Sequence, residues 1–138
     1  MNKIQYFAGL ILLVSCISGD KKIGKEIEVQ LQKNEWSMVD LSKVAGPEWD
    51  SVCIFGPYST NKSVKEKLGF DWNIEENSSI ASSDAINVLA FTKNGNVLKF
   101  VEYPRESGDF ADLSGDCFGR NNSKFKRENR EDNRKNYK

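Results

Sequence analysis

The chain has 138 residues, with 20 basic and 20 acidic side chains and no histidine. Charge balance of this kind carries no signature of nucleic-acid or acidic-substrate binding. The missing imidazole excludes Ser-His-Asp and Cys-His catalysis, imidazole metal sites and the usual general base near neutral pH.

The first element is MNKIQYFAGLILLVSC. Lys3 supplies a positive start, and Tyr6 to Val14 form an apolar run broken by Gly9. That run suits the hydrophobic region of an export signal and is too short to span a bilayer, which needs about 20 apolar residues. A core helix fits poorly, because the run is apolar all round and directly follows a charged start.

Leu13-Val14-Ser15-Cys16 resembles the lipobox of bacterial lipoproteins: an aliphatic residue, an aliphatic or small one, a small one, then Cys. The resemblance covers those four residues and the segment before them. It implies a signal peptide over 1–15, diacylglyceryl transfer to the Cys16 thiol, and Cys16 as the first residue of the mature chain. Ile17, where an Asp would imply retention at the inner membrane, implies the outer membrane facing the periplasm. An ordinary export peptide cut after Gly19 is the other reading; Cys16 and Ile17 are poor small-residue positions for that cut.

With Cys16 lipidated as the resemblance implies, Cys53 and Cys117 remain, an even pair in a disulfide-permissive compartment. A bridge between them is expected, two separate buried thiols being the alternative. Residues 16–24 read as the lipidated N-terminus and a short tether, 25–125 as a single α+β domain, and 126–138 as a disordered charged tail. The apolar content of 38% and mean hydropathy of −0.57 promise a modest core.

Within the domain, KEIEVQLQ alternates, Ile27, Val29 and Leu31 against Glu28, Gln30 and Gln32, and predicts a half-buried strand. Trp36, Met38 and Leu41 lead to a turn or short helix ending at Gly46-Pro47. Val52 to Phe55 predict a strand buried on both faces, stopped by Gly56-Pro57. STNKSVKEKLGF predicts a short helix, with a hydroxyl or amide at its start, Val64 and Leu68 on one face, and Gly69 placed for a left-handed cap.

Asn94-Gly95 predicts a hairpin tip, pairing Lys93 with Asn96, Phe91 with Leu98 and Leu89 with Phe100. Both hairpin faces are largely apolar, so it belongs inside a larger sheet, and Pro104 ends it. Phe110, Leu113, Cys117, Phe118 and Phe125 are the expected core anchors of the loop-rich segment that follows. The fold class is α+β: an antiparallel sheet with one or two short helices.

No Walker A loop, G-x-G-x-x-G, C-x-x-C or EF-hand spacing is present. Asp109, Asp112 and Asp116 match no calcium loop and read as solvated carboxylates. No cofactor, no metal and no nucleic-acid partner is expected, and the chain is not read as an enzyme. Of Trp49, Phe55, Tyr58, Phe70 and Trp72, most are expected in the core. Tyr58 and Trp72, in loops beside Pro57 and Asp71, are the candidate partner-binding residues. The block WDSVCIFGPY with the later hairpin is similar to short bacterial envelope proteins of unassigned role, a loose likeness over residues 36–118. The expected role is lipid-anchored binding or accessory work in the envelope, with an envelope protein as partner. The alternative is an inhibitor or immunity-type protein that neutralises an exported enzyme or toxin.

Overall fold

The computed structural model describes residues 19–128 and 136–137. The expected signal segment and Cys16 lie outside the described residues.

The chain folds as an α+β domain with antiparallel sheets. Helix α1 (Lys21–Lys33) is followed by β1 (Met38–Asp40), β2 (Ser51–Phe55), α2 (Asn61–Leu68), α3 (Ile74–Asn77), β3 (Ile86–Lys93) and β4 (Asn96–Pro104). β5 (Cys117–Gly119), β6 (Lys124–Glu128) and β7 (Asn136–Tyr137) complete it. The main sheet runs β4-β3-β2-β5 and a smaller one β1-β6-β7.

Both faces of the main sheet are covered, which explains why its strands are apolar on both sides. Val52, Ile54, Leu89, Phe91, Val101 and Tyr103 pack with α1 and the small sheet through Ile23, Ile27, Leu31, Val39 and Phe125. Cys53, Phe55, Val88 and Ala90 pack on the other side with Val64 of α2, Ile74 of α3 and Ile80. The expected two-face burial of Val52 to Phe55 is observed, as is burial of Phe110, Leu113 and Phe125. Phe118 is half-buried, its ring edge-on to Phe125 at 4.9 Å.

α2 forms as its sequence predicts. Thr60 Oγ1 accepts from the Ser63 amide, Ser63 Oγ accepts from the Thr60 amide, and Gly69 closes the helix at φ 77°.

Three expectations are corrected. The segment predicted as a strand at KEIEVQLQ is the body of α1. Its buried residues are Ile23, Ile27 and Leu31, an i, i+4, i+8 stripe, while Val29 is 43% exposed. Lys, Glu and Gln are strong helix formers, and Asp20 caps the first turn by accepting from the Lys22 amide. The tether therefore stops before residue 24. Gly19 bridges to Val101, and the Asp20 amide donates to the Phe100 carbonyl. A Cβ at Gly19 would lie 3.0 Å from that carbonyl oxygen, so the approach requires glycine.

The hairpin tip is where Asn94-Gly95 places it, and Lys93 faces Asn96. Beyond the tip a bulge between Phe91 and Thr92 shifts the register, so Phe91 pairs with Lys99 and Leu89 with Val101. A one-residue shift exchanges the faces: Phe100, expected opposite Leu89, lies opposite Ala90 in the other layer.

The tail is the third correction. Lys126 to Glu128 belong to β6, and Tyr137 of β7 is fully buried, stacked on Phe110 at 5.3 Å. Its hydroxyl donates to the Trp36 carbonyl. One aromatic with a pocket to fill outweighs the polar composition around it. The domain thus includes residues 19–128 together with Tyr137.

Candidate binding surface

Cys53 and Cys117 lie directly opposite each other on β2 and β5 and form the expected disulfide. Cys53 is buried and Cys117 exposed, so the bond ties the short edge strand to the centre of the sheet.

Tyr58 follows β2 at Gly56-Pro57 and is 60% exposed, the most exposed large apolar side chain among the described residues. Its backbone is left-handed, at φ 63°. For a non-glycine residue that conformation costs about 1–2 kcal/mol. The turn is held from three directions. The Gly56 amide donates to Ser114 Oγ at 2.7 Å, Ser59 Oγ donates to the Gly56 carbonyl, and the Tyr58 amide donates to the Ile80 carbonyl at 2.9 Å. Gly56 has no room for a side chain, since a Cβ would meet Ser114 Oγ at 2.9 Å.

Trp72 does not share this position. It is half-buried, edge-on to Phe100 of β4 with ring centroids 5.3 Å apart. β4 lies two strands from β2, so the two aromatics are not brought to one sheet edge. The remaining aromatics of the group are packed inward: Trp49 and Phe55 are 2% exposed, and Phe70 is half-buried. Trp49 donates from Nε1 to the Val44 carbonyl, and the Arg120 guanidinium stacks 4.4 Å over its ring.

Asp109, expected in solvent, is buried at 4% exposure, whereas Asp112 and Asp116 are exposed. Its carboxylate accepts from Arg105 Nε and Nη2 at 3.1 and 2.9 Å, from the Ala111 amide, and from Asn87 Nδ2. Burial alone would raise its pKa; the Arg105, Ala111 and Asn87 hydrogen bonds and the guanidinium charge outweigh that and hold it below the usual carboxylate range. This group is structural, clamping the turn after β4. Its only trace in the sequence is an Arg-Asp pair four residues apart. Among the described residues no group of three or more His, Cys, Asp or Glu side chains converges on a metal position.

Two open grooves flank α1. One, of about 590 Å³, lies between α1 and β4, with Lys21, Lys25, Glu28, Glu102 and Tyr103 among its lining residues. Burial, then the charges of Glu28 and Tyr137, push the Tyr103 phenol well above its ordinary pKa, so it stays protonated. The other, of about 480 Å³, is lined by Lys22, Lys25, Val29 and Lys43 with Glu26 and Gln30. No helix among the described residues is long and apolar enough to cross a membrane.

Comparison with protein-family models, curated proteins and solved structures finds no match to this chain.

Proposed function

We propose that this protein is a lipid-anchored lipoprotein of the cell envelope, held at the outer membrane through Cys16 and facing the periplasm, that acts by binding a protein partner rather than by catalysis. Tyr58 carries the binding half of this reading. A large aromatic is left 60% exposed in a left-handed conformation on a turn fastened from three directions. Such a residue contributes little to its own fold and is already ordered before contact, which lowers the entropy cost of association. Trp72, packed on Phe100, supports the fold instead. The anchoring half rests on Leu13-Val14-Ser15-Cys16, and the absence of histidine from the chain accords with a non-catalytic role.

Labelled palmitate is expected to enter the full chain and not a Cys16→Ala variant; equal labelling of both overturns the anchor. A photo-crosslinking residue at position 58 is expected to give one discrete protein adduct in intact cells. Tyr58→Ala should weaken binding to that partner by about 2 kcal/mol with an unchanged Tm. Trp72→Ala should instead lower stability by about 2 kcal/mol, through the lost contact with Phe100. Loss of stability in Tyr58→Ala, or a turnover activity abolished by one Asp or Glu substitution, overturns the binding reading.

A further inference from the structure

We infer that the outward face of α1 lies on an anionic lipid surface and fixes the orientation of the domain. This deepens the anchoring reading and rests on acylation of Cys16. Three observations carry it.

The first is reach. Asp20 is hydrogen-bonded to the Phe100 carbonyl and caps α1, so the chain is tied to the domain there. Four residue steps separate Cys16 from Asp20, and they span at most about 14 Å even fully extended. An acylated Cys16 therefore holds the start of α1 close to the head groups, and only surfaces near that end of the helix can meet the membrane.

The second is charge. Among the charged residues of α1, the exposed ones are Lys21, Lys22, Lys25 and Lys33. Its two glutamates are half-buried and engaged: Glu26 accepts from the Ala45 amide at 2.9 Å, and Glu28 is 3.9 Å from Lys25 Nζ. Lys43 extends the basic face from the neighbouring turn. A local cluster of lysines in a chain with no net charge is concentrated where the tether leaves it no choice but to meet lipid.

The third is the apolar centre of the same face. Val29 is 43% exposed between Lys22, Lys25 and Lys43 in the open groove. Lysine stems lie along apolar surface while their ammonium groups reach outward, the arrangement that suits a helix resting at the head-group boundary. The face is too short and too polar to insert. Its attraction to anionic head groups decays over a Debye length of about 8 Å at physiological salt, and a tether of at most about 14 Å keeps the start of α1 within about two such lengths. The Tyr58 amide is bonded to Ile80, which belongs to the layer across the main sheet from α1, so this orientation leaves position 58 away from the lipid.

The test uses the full acylated chain in vesicles of phosphatidylcholine with or without phosphatidylglycerol. With Cys16 acylated and Cys53 bonded to Cys117, a Val29→Cys variant carries one free thiol for an environment-sensitive dye. The dye is expected to shift to the blue and to be quenched by brominated lipid only when phosphatidylglycerol is present. Lys22→Ala and Lys25→Ala should each reduce the shielded-to-exposed ratio about fivefold, and salt should do the same. A Tyr58→Cys variant labelled in the same way should remain aqueous. An aqueous dye at position 29 on anionic vesicles overturns the inference, as does a shielded dye at position 58. Shielding at position 29 without vesicles, together with a doubled mass, assigns the face to a second copy and overturns it too. If the dye enters Cys16 of the otherwise native chain, the anchoring reading fails. The face is then judged by the Val29→Cys signal in a Cys16→Ala background that still sediments with anionic vesicles, and a chain that does not sediment overturns both.

Discussion

Cys53→Ser and Cys117→Ser are each expected to destabilise the domain by about 4 kcal/mol. The bond joins residues 64 apart in sequence. In the chain-entropy model, closing a loop of that length removes about 4 kcal/mol of freedom from the unfolded chain. The two positions are already opposed across the β2–β5 ladder, so the native state needs no rearrangement to form the bond. β5 is three residues long, lies at the edge of the main sheet and has no buried side chain, so it has little packing of its own. Its loss should therefore loosen first in the variants, with earlier hydrogen exchange at Cys117 to Gly119 than in the rest of the main sheet. Chemical denaturation of the oxidised protein, with and without reductant, measures the difference. A reduced wild type as stable as the oxidised form contradicts the expectation.

Arg105→Ala is expected to cost about 3–5 kcal/mol at neutral pH, because it leaves the Asp109 carboxylate buried without its counter-charge. The exposed edge of the Arg105 guanidinium makes the lower part of that range the better expectation. The dependence on pH separates this cause from simple loss of packing. Asp109 has its pKa lowered in the folded protein, so its contribution to wild-type stability is complete above the unfolded carboxylate pKa of about 4. That contribution is lost as the pH falls through the folded value. In Arg105→Ala the carboxyl is freed of its main stabilising partner, binds a proton more readily, and becomes neutral in the acid range. The stability gap between wild type and variant should therefore narrow below about pH 4. Urea midpoints at several pH values measure it; a gap independent of pH assigns the loss to packing instead.

Local chemistry alone determined a large part of this fold. Asn94-Gly95 permits the tight turn that left-handed backbone demands and sets the β3–β4 hairpin. Thr60, Ser63 and Gly69 close both ends of α2 with groups a few residues away. The continuous apolar run at Val52 to Phe55 required cover on both sides, and the two cysteines other than Cys16 implied a bond. Each of these signals is complete within a short stretch, except the bond, which follows from counting cysteines once Cys16 is set aside on the lipobox reading.

The tertiary structure decided what the local signals left degenerate. In KKIGKEIEVQLQK the apolar set fits period two through Ile27, Val29 and Leu31, and a helical stripe through Ile23, Ile27 and Leu31. Only the open face of the main sheet, wide enough for a helix and lined by Leu89, Val101 and Tyr103, selects the second. The bulge after Phe91 is likewise invisible in the strand itself, because both registers bury apolar residues, and the two covering layers choose between them. Asp109 and Tyr137 are read as solvent-facing from their neighbours, yet each is buried among partners that the fold, not the local sequence, brings to it. Asn87 and Arg105 receive the carboxylate, while Phe110 and the Trp36 carbonyl receive the phenol. The exposed position of Tyr58 and the inward turn of Trp72 have the same origin. An aromatic beside a proline or an aspartate carries no sign of its own, and whether Phe100 lies beneath it is a property of the register two strands away.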